Sequence, residues 1–599
     1  MNTARTILFA AILLPAFALG QSIPEVLAPD FELIEFAKTP EIVTPIGAAF
    51  DDKGRLLVIE SHTHKTPSEY DGPKSDRIRI LEDTDDDGRS DQFRTYYEGT
   101  THTMSLRQGE DGWLYVATRA KVFRIRDSDG DDQADEEQTL VHLETEGDYP
   151  HNGLSGLALD GKGHLYFGMG ENLGRDYRMI GSDKQAQRGS GEGGVFRSDL
   201  DGKNLTRIAT GFWNPFGICF DPHGRIFAVG NDADGRPPCR LVQVVETGDY
   251  GYQFKFGRSG RHPLQAWNGE LPGTLPMAAA TGEAPCEIAA YRGQLWVAVW
   301  GDYRIERYTP TVTGATVTAT REVVVQGDHT FRPVALTESP DGSLYFTDWI
   351  DKSYPVHGKG RVWRLKPKAK SDKKFPELTE AERTARLAAS GDVSAILESV
   401  KSDDVFQRQH AVAGINRTEE LTTLTNKLPG YPQGRLAFLQ SIRWTADHAL
   451  AEADPVDVEL LNMMLVDSDE AVRVYATRWV ADAKVLDATA TLQSRLKSSE
   501  TSQEFMATLA AISWLKDEKL PDTLATYLDS TLKGKNTSEE VKIMAVRLLG
   551  REPNKPLPPE IVALVDGEAG KRLQKEAIRT VISNSPKANA SLHPHILEQ

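Results

Sequence analysis

Two imidazoles, a carboxylate, a guanidinium and an amide recur at one place in a repeated phrase of this sequence. Counting back twelve residues from Leu56, Leu114, Leu165, Ile226, Leu295 and Leu344, the first apolar positions of six similar runs, gives Thr44, His102, Gly153, Asn214, Glu283 and Arg332. His151 and Asn152 stand immediately before that glycine, in YPHNGLSG. Brought together, such side chains suit a polar small molecule: a neutral imidazole accepts a hydroxyl proton, and the amide, carboxylate and guanidinium orient the rest. Polar residues at these positions also serve simply to face water, so the spacing by itself leaves both readings open.

A second chemistry is written in two acidic stretches, EDTDDDGRSD (Glu82 to Asp91) and RDSDGDDQAD (Arg126 to Asp135). Asp83, Asp85, Asp87, Gly88 and Asp91 fall at positions 1, 3, 5, 6 and 9 of an EF-hand loop, with Arg94 where the bidentate glutamate is expected. Asp127, Asp129, Asp131 and Asp135 keep the same register, with Asp132 in place of the glycine and Gln138 at position 12. Each loop is either a calcium site or a solvated acidic turn. His62 and His64, in ESHTHKTP, are a third candidate, able to bind a metal from one strand face or to sit on the surface.

The elements that must position these residues repeat. DDKGRLLVIE, GEDGWLYVAT, DGKGHLYFGM, DPHGRIFAVG, YRGQLWVAVW and SPDGSLYFTD each set a turn glycine before a short aromatic and β-branched run. An apolar strand precedes each, and a strand with basic and aliphatic alternation follows several, as in DRIRILE, KVFRIRD and GRVWRLK. Six such units predict an all-β six-bladed propeller over residues 21–366. In that fold the first strand of each blade lines a central channel, so the polar positions meet at its mouth. The acidic stretches become turns between third and fourth strands on the rim, whereas Asp232, Asp348 and Trp349 help shape one face of the disc.

After a charged linker at 367–377 the periodicity becomes helical, and residues 378–599 are expected to form an α-helical HEAT-like solenoid. Its tryptophans Trp444, Trp479 and Trp514 are expected in the core, and a protein partner could dock on the array. The first twenty residues read as a signal peptide, with Arg5 before the run ILFAAILLPAFAL and Ala18-Leu19-Gly20 before the cut. Its removal takes the formal charge from -18 to -19. The mature chain is expected to be secreted or periplasmic, without a membrane span, and too acidic to favour nucleic acid. Cys219, Cys239 and Cys286 have no metal-ligand spacing. Cys219 is expected in the core, and Cys239 and Cys286 are free to pair or not.

The blocks HNGLSGLALDGKGHLYFGMGENLG, GGVFRSDLDG, GFWNPFGICFDPHGRIFAVGND, ETGDYGYQF and FRPVALTESPDGSLYFTDW resemble the glucose and sorbosone dehydrogenase group of quinoproteins. The chain resembles still more the secreted dehydrogenase-like propellers of planctomycetes and their relatives, in which HEAT repeats and a cytochrome c domain often follow. The resemblance implies that His151 is the general base toward a sugar or polyol hydroxyl, while hydride passes to pyrroloquinoline quinone beside a calcium ion. It makes Asn214 a contact of cofactor or substrate; beside it, Trp213 is read as a ring on which the quinone stacks, Arg332 as the replacement positive charge at the cofactor, and His102, Asn152 and Glu283, from the counted ring, as substrate contacts. Trp213 stands where the family generally has arginine. No C-x-x-C-H occurs in the sequence, so oxidation would need a separate electron acceptor. The alternative is a non-catalytic propeller that binds a glycan or a protein.

Overall fold

A computed structural model describes residues 22–447, 457–535, 537–551, 557–566 and 570–584. The expected signal peptide lies outside the described residues. The repeated phrases fold as anticipated. Gly54, Gly112, Gly163, Gly224, Gly293 and Gly342 all adopt positive φ, between 74° and 98°. That conformation is open to glycine at no steric cost and turns each first strand back into the second. In three of these turns one aspartate oxygen holds two backbone amides: Asp51 takes those of Lys53 and Arg55, Asp160 those of Lys162 and His164, and Asp221 those of His223 and Arg225.

Six sheets result, antiparallel but for one short parallel pair, Thr206–Phe212 with Gly248–Asp249. Their innermost strands are Pro45–Phe50, Thr103–Gln108, Leu154–Leu159, Asn214–Phe220, Pro285–Tyr291 and Pro333–Glu338. Each packs against the next, and the sixth returns to the first, which closes the ring around a channel. Closure is completed by the chain's beginning: Phe31–Lys38 pairs with Arg361–Pro367 as the outer strand of the sixth blade. Gly156 and Gly217 show how tightly inner strands approach. A Cβ on Gly156 would lie 2.3 Å from the Phe216 carbonyl oxygen, and one on Gly217 would lie 2.7 Å from the Glu287 Cα.

Strand direction fixes which loops share a face. Inner strands run from the mouth to the far face, second strands return, and third strands descend again. The turns at 51–55, 83–91 and 127–135 therefore lie on the far face, and the loops after second strands lie beside the mouth.

Beyond Pro367, residues 368–374 are exposed, but Phe375 is buried against blades four and five, and the carbonyls of Pro376 and Glu377 accept from Arg225. The expected linker is thus docked along its second half. Thirteen helices follow among the described residues, from Glu380–Ala389 to Lys571–Asn584. Alternate helices stack on one another as one layer and the rest form a second, a solenoid-like arrangement. Aspartate, serine and threonine caps start them, as at Asp392, Asp404, Asp469, Thr501 and Ser538. Trp479 is buried, and Trp514 is partly buried against the same core.

Candidate functional site

At the mouth, every inner strand breaks register with its neighbour. The shifts fall between Pro45 and Ala48, Thr103 and Ser105, Ser155 and Ala158, Pro215 and Gly217, Pro285 and Glu287, and Pro333 and Leu336. Such bulges re-aim side chains, and here they bring Ile46, Met104, Ser155, Phe216, Cys286 and Val334 to one chamber of about 110 Å³. Loops above the strands supply the rest of its wall: His64 from blade one, His151 from the short 3-10 turn Pro150–Asn152, Trp300 from blade five, and Trp349 and Tyr354 from blade six.

His64 and His151 stack with ring centroids 4.5 Å apart and planes 17° from parallel. Tyr354 closes over them, 5.1 Å from His151 and stacked on Trp300 at 5.6 Å, and Phe216 meets His151 edge-on at 5.9 Å. Burial holds His151 down to about 3 and His64 down to about 4; the neighbouring imidazole and Lys65 add to the shift at His151, His102 and Lys65 at His64. Both rings are neutral near pH 7 and act as hydrogen-bond acceptors. His64 is 5% exposed, and its Nε2 has no hydrogen-bond partner within the protein. Such a buried nitrogen is costly unless something in the chamber meets it.

Glu287 enters the chamber from the bulge in blade five. Burial pushes its carboxyl up to about 7, against the pull of Arg107, which lines the lower opening of the channel.

The polar positions counted from the sequence do stand at the starts of the inner strands, yet most turn their side chains into blade contacts. Thr44 donates to the Ser61 carbonyl. The His102 amide donates to Thr63 Oγ1, and burial lowers the pKa of its ring. The amide of Asn214 meets that of Asn152 at 2.9 Å, and Asn152 Nδ2 donates to Glu171 at 2.6 Å. Trp213 is buried with Ala233, Tyr252 and Trp267. Arg332 Nη1 donates to the carbonyls of Trp300 and Gly301, and its guanidinium lies 4.6 Å from the Trp300 ring and 4.1 Å from that of Tyr303. Of the eight residues singled out at the mouth, Thr44, His102, His151, Asn152, Trp213, Asn214, Glu283 and Arg332, only His151 lines the chamber. Sequence reasoning passed over Glu287, Trp300 and Tyr354 and left His64 open between a metal ligand and a surface position. The signal that could have found the lining is the proline or glycine within nearly every inner strand, as in PIG, NPFG and PCE, which marks a bulge.

Glu283 joins Asp232 and Cys239 instead. The Cys239 thiol lies 3.4 Å from Asp232 Oδ1 and 3.8 Å from Glu283 Oε2, and the three donor atoms are within 4.8 Å of one another, close enough to share a cation. All three cysteines are free thiols, so Cys239 and Cys286 are not bonded. On the far face, Asp83, Asp85 and Asp87, and likewise Asp127, Asp129 and Asp131, converge to the same limit. Asp91 and Asp135 turn onto Thr84 and Ser128. Asp132 is paired with Arg55 and Lys53, which hold its carboxyl down to about 2.

The quinone implied by the resemblance is a flat tricarboxylate, and this chamber does not suit it. Arg332 and Trp213 face elsewhere, and the lining carries the carboxyl of Glu287 and no lysine or arginine.

A family model described as a domain of unknown function (DUF7133) matches residues 22–254. No curated protein matches. Similar solved structures include a putative oxidoreductase (glucose dehydrogenase) from Thermus thermophilus, 19% identical, with a TM-score of 0.43 over 56% of this chain and 99% of that one. A PQQ-bound aldose sugar dehydrogenase from Streptomyces coelicolor is 15% identical, with a TM-score of 0.42 over 57% of this chain and 99% of the other. A Trichoderma reesei enzyme of carbohydrate-active family AA12 is 16% identical, with a TM-score of 0.44 over 58% and 98%. At this identity the likeness is one of architecture, and the chemistry of the chamber is read from its own residues.

Proposed function

We propose that this is an exported propeller whose channel chamber binds a sugar or related polyol, with His151 the group able to take a hydroxyl proton. The observation that carries this reading is the unpartnered Nε2 of buried His64, a ring that stacks on His151 in the wall of the same chamber. A ligand hydroxyl would donate to it, and the aromatic rings that line the chamber would cover the carbon skeleton. Without an anionic quinone, the side chains by themselves support recognition of a hydroxylated molecule. Oxidation of that molecule would call for a separate electron acceptor. The two acidic loops are calcium braces on the far face under the same reading.

Trp300 and Trp349 line the chamber, so tryptophan fluorescence reports its filling. Titration with a panel of sugars and polyols is expected to give saturable quenching with at least one of them. His64→Ala should weaken that binding about ten-fold or more, as loss of a buried hydrogen bond does. Absence of binding across the panel, or equal affinity in His64→Ala and His151→Ala, would rule the reading out.

A further inference from the structure

The chamber wall is aromatic and acidic. Phe216, Trp300, Trp349 and Tyr354 present rings, Glu287 presents a carboxyl, and no lysine or arginine lines it. Aromatic faces attract cations through their quadrupole, most strongly where water is excluded. Two of these rings already meet a cation of the protein, which leaves Phe216 and Trp349 to one brought by a ligand. Lys65 Nζ lies 4.7 Å from the centroid of Tyr149 and 5.3 Å from that of Tyr354 at the mouth, and the Arg332 guanidinium lies 4.6 Å from that of Trp300.

Glu287 accepts the Ile288 amide and forms no ion pair among the described residues, and Arg107 acts on it by charge alone. Arg332 gives its Nη1 hydrogen bonds to backbone carbonyls, and Arg107 Nε donates to the Leu157 carbonyl at the channel's other end. Asp232 and Glu283 stand beside the mouth with a thiol between them. A positive charge arriving with the ligand would be attracted to these carboxyls, and an anion repelled.

We infer that the natural ligand is a hydroxylated molecule that also bears a protonated amine, its ammonium held between the Glu287 carboxylate and the aromatic wall and its hydroxyl on the imidazole pair. The inference rests on the hydroxyl-binding reading above and adds the charge. It places amino sugars and amino alcohols ahead of neutral polyols.

Isosteric pairs test it. Calorimetric titration at pH 7 compares serinol with glycerol, and glucosamine with glucose and N-acetylglucosamine, on the wild-type protein and on Glu287→Gln. Serinol or glucosamine is expected to bind about ten-fold tighter than its neutral counterparts. Glu287→Gln should erase that difference. Equal or tighter binding of the neutral members overturns the inference while leaving the hydroxyl site standing, and so does a preference that survives in Glu287→Gln. Binding of neither member of either pair overturns both. If Glu287→Gln does not fold, the wild-type comparison decides alone.

Discussion

Burial determines what the histidines of the chamber can do. An imidazole held down to about 3 or 4 carries no proton at pH 7, so His151 and His64 accept and do not donate charge. The same burial governs Glu171, which ends the relay from Asn214 through Asn152. Its Oε2 is buried without a partner, and its carboxyl is pushed up to about 7 from 4.5. A raised carboxyl favours the fold while protonated. That contribution is full below about pH 4.5 and is lost as pH rises through about 7. Each pH unit between those two values is worth about 1.4 kcal/mol, so the loss is on the order of 3 kcal/mol. Glu171→Gln keeps an oxygen for Asn152 and cannot ionise. Chemical denaturation is therefore expected to show the variant matching the wild type near pH 4.5 and exceeding it by that order at pH 8. Parallel pH profiles would show that Glu171 is not the titrating group.

Turns and strands were the most legible part of the sequence, and the bulges the least. The six glycine turns can be read from the residues because only glycine takes their φ without strain. The mouth positions can be counted, since each sits a fixed distance before a strand. Which side chain then faces the channel depends on a one-residue register shift, and that shift moved the lining from Asn214 and Glu283 to Phe216, Cys286 and Glu287. Loops between blades gave no periodic signal, so His64, Trp300 and Tyr354 went unread as a group. The acidic loops were read correctly as turns, and three carboxylates in each lie close enough to share a cation. Calcium at about a hundred-fold over its Kd should stabilise each loop's blade by about 2.7 kcal/mol and raise the Tm by a few degrees. Asp85→Asn combined with Asp129→Asn should abolish the rise. A Tm indifferent to calcium and chelator would make the loops solvated turns.

No residue of the helical array lines the chamber. Among its contacts with the propeller, Arg225 pairs with Glu382 at 2.6 Å, Asp404 accepts from the amides of Ala315 and Thr316, Gln409 donates to Thr247, and Arg478 pairs with Asp249 at 2.6 Å. Phe256, Leu264 and Leu271, in the long excursion from blade four, enter the core of the helices themselves. Propeller and array therefore share a hydrophobic core, and no described helix is long and apolar enough to cross a membrane. Ligand would reach the chamber past Tyr354, which is 42% exposed.

The most direct test of the imidazole pair is nitrogen NMR of the whole protein with labelled histidine, His64 and His151 being assigned by single substitution to glutamine. Both rings are expected to remain neutral down to pH 6, and the Nε2 signal of His64 should shift toward a hydrogen-bonded value on saturation with serinol or glucosamine. A protonated ring at pH 6, or a His64 signal unmoved by a ligand that calorimetry shows to be bound, would contradict the site described here.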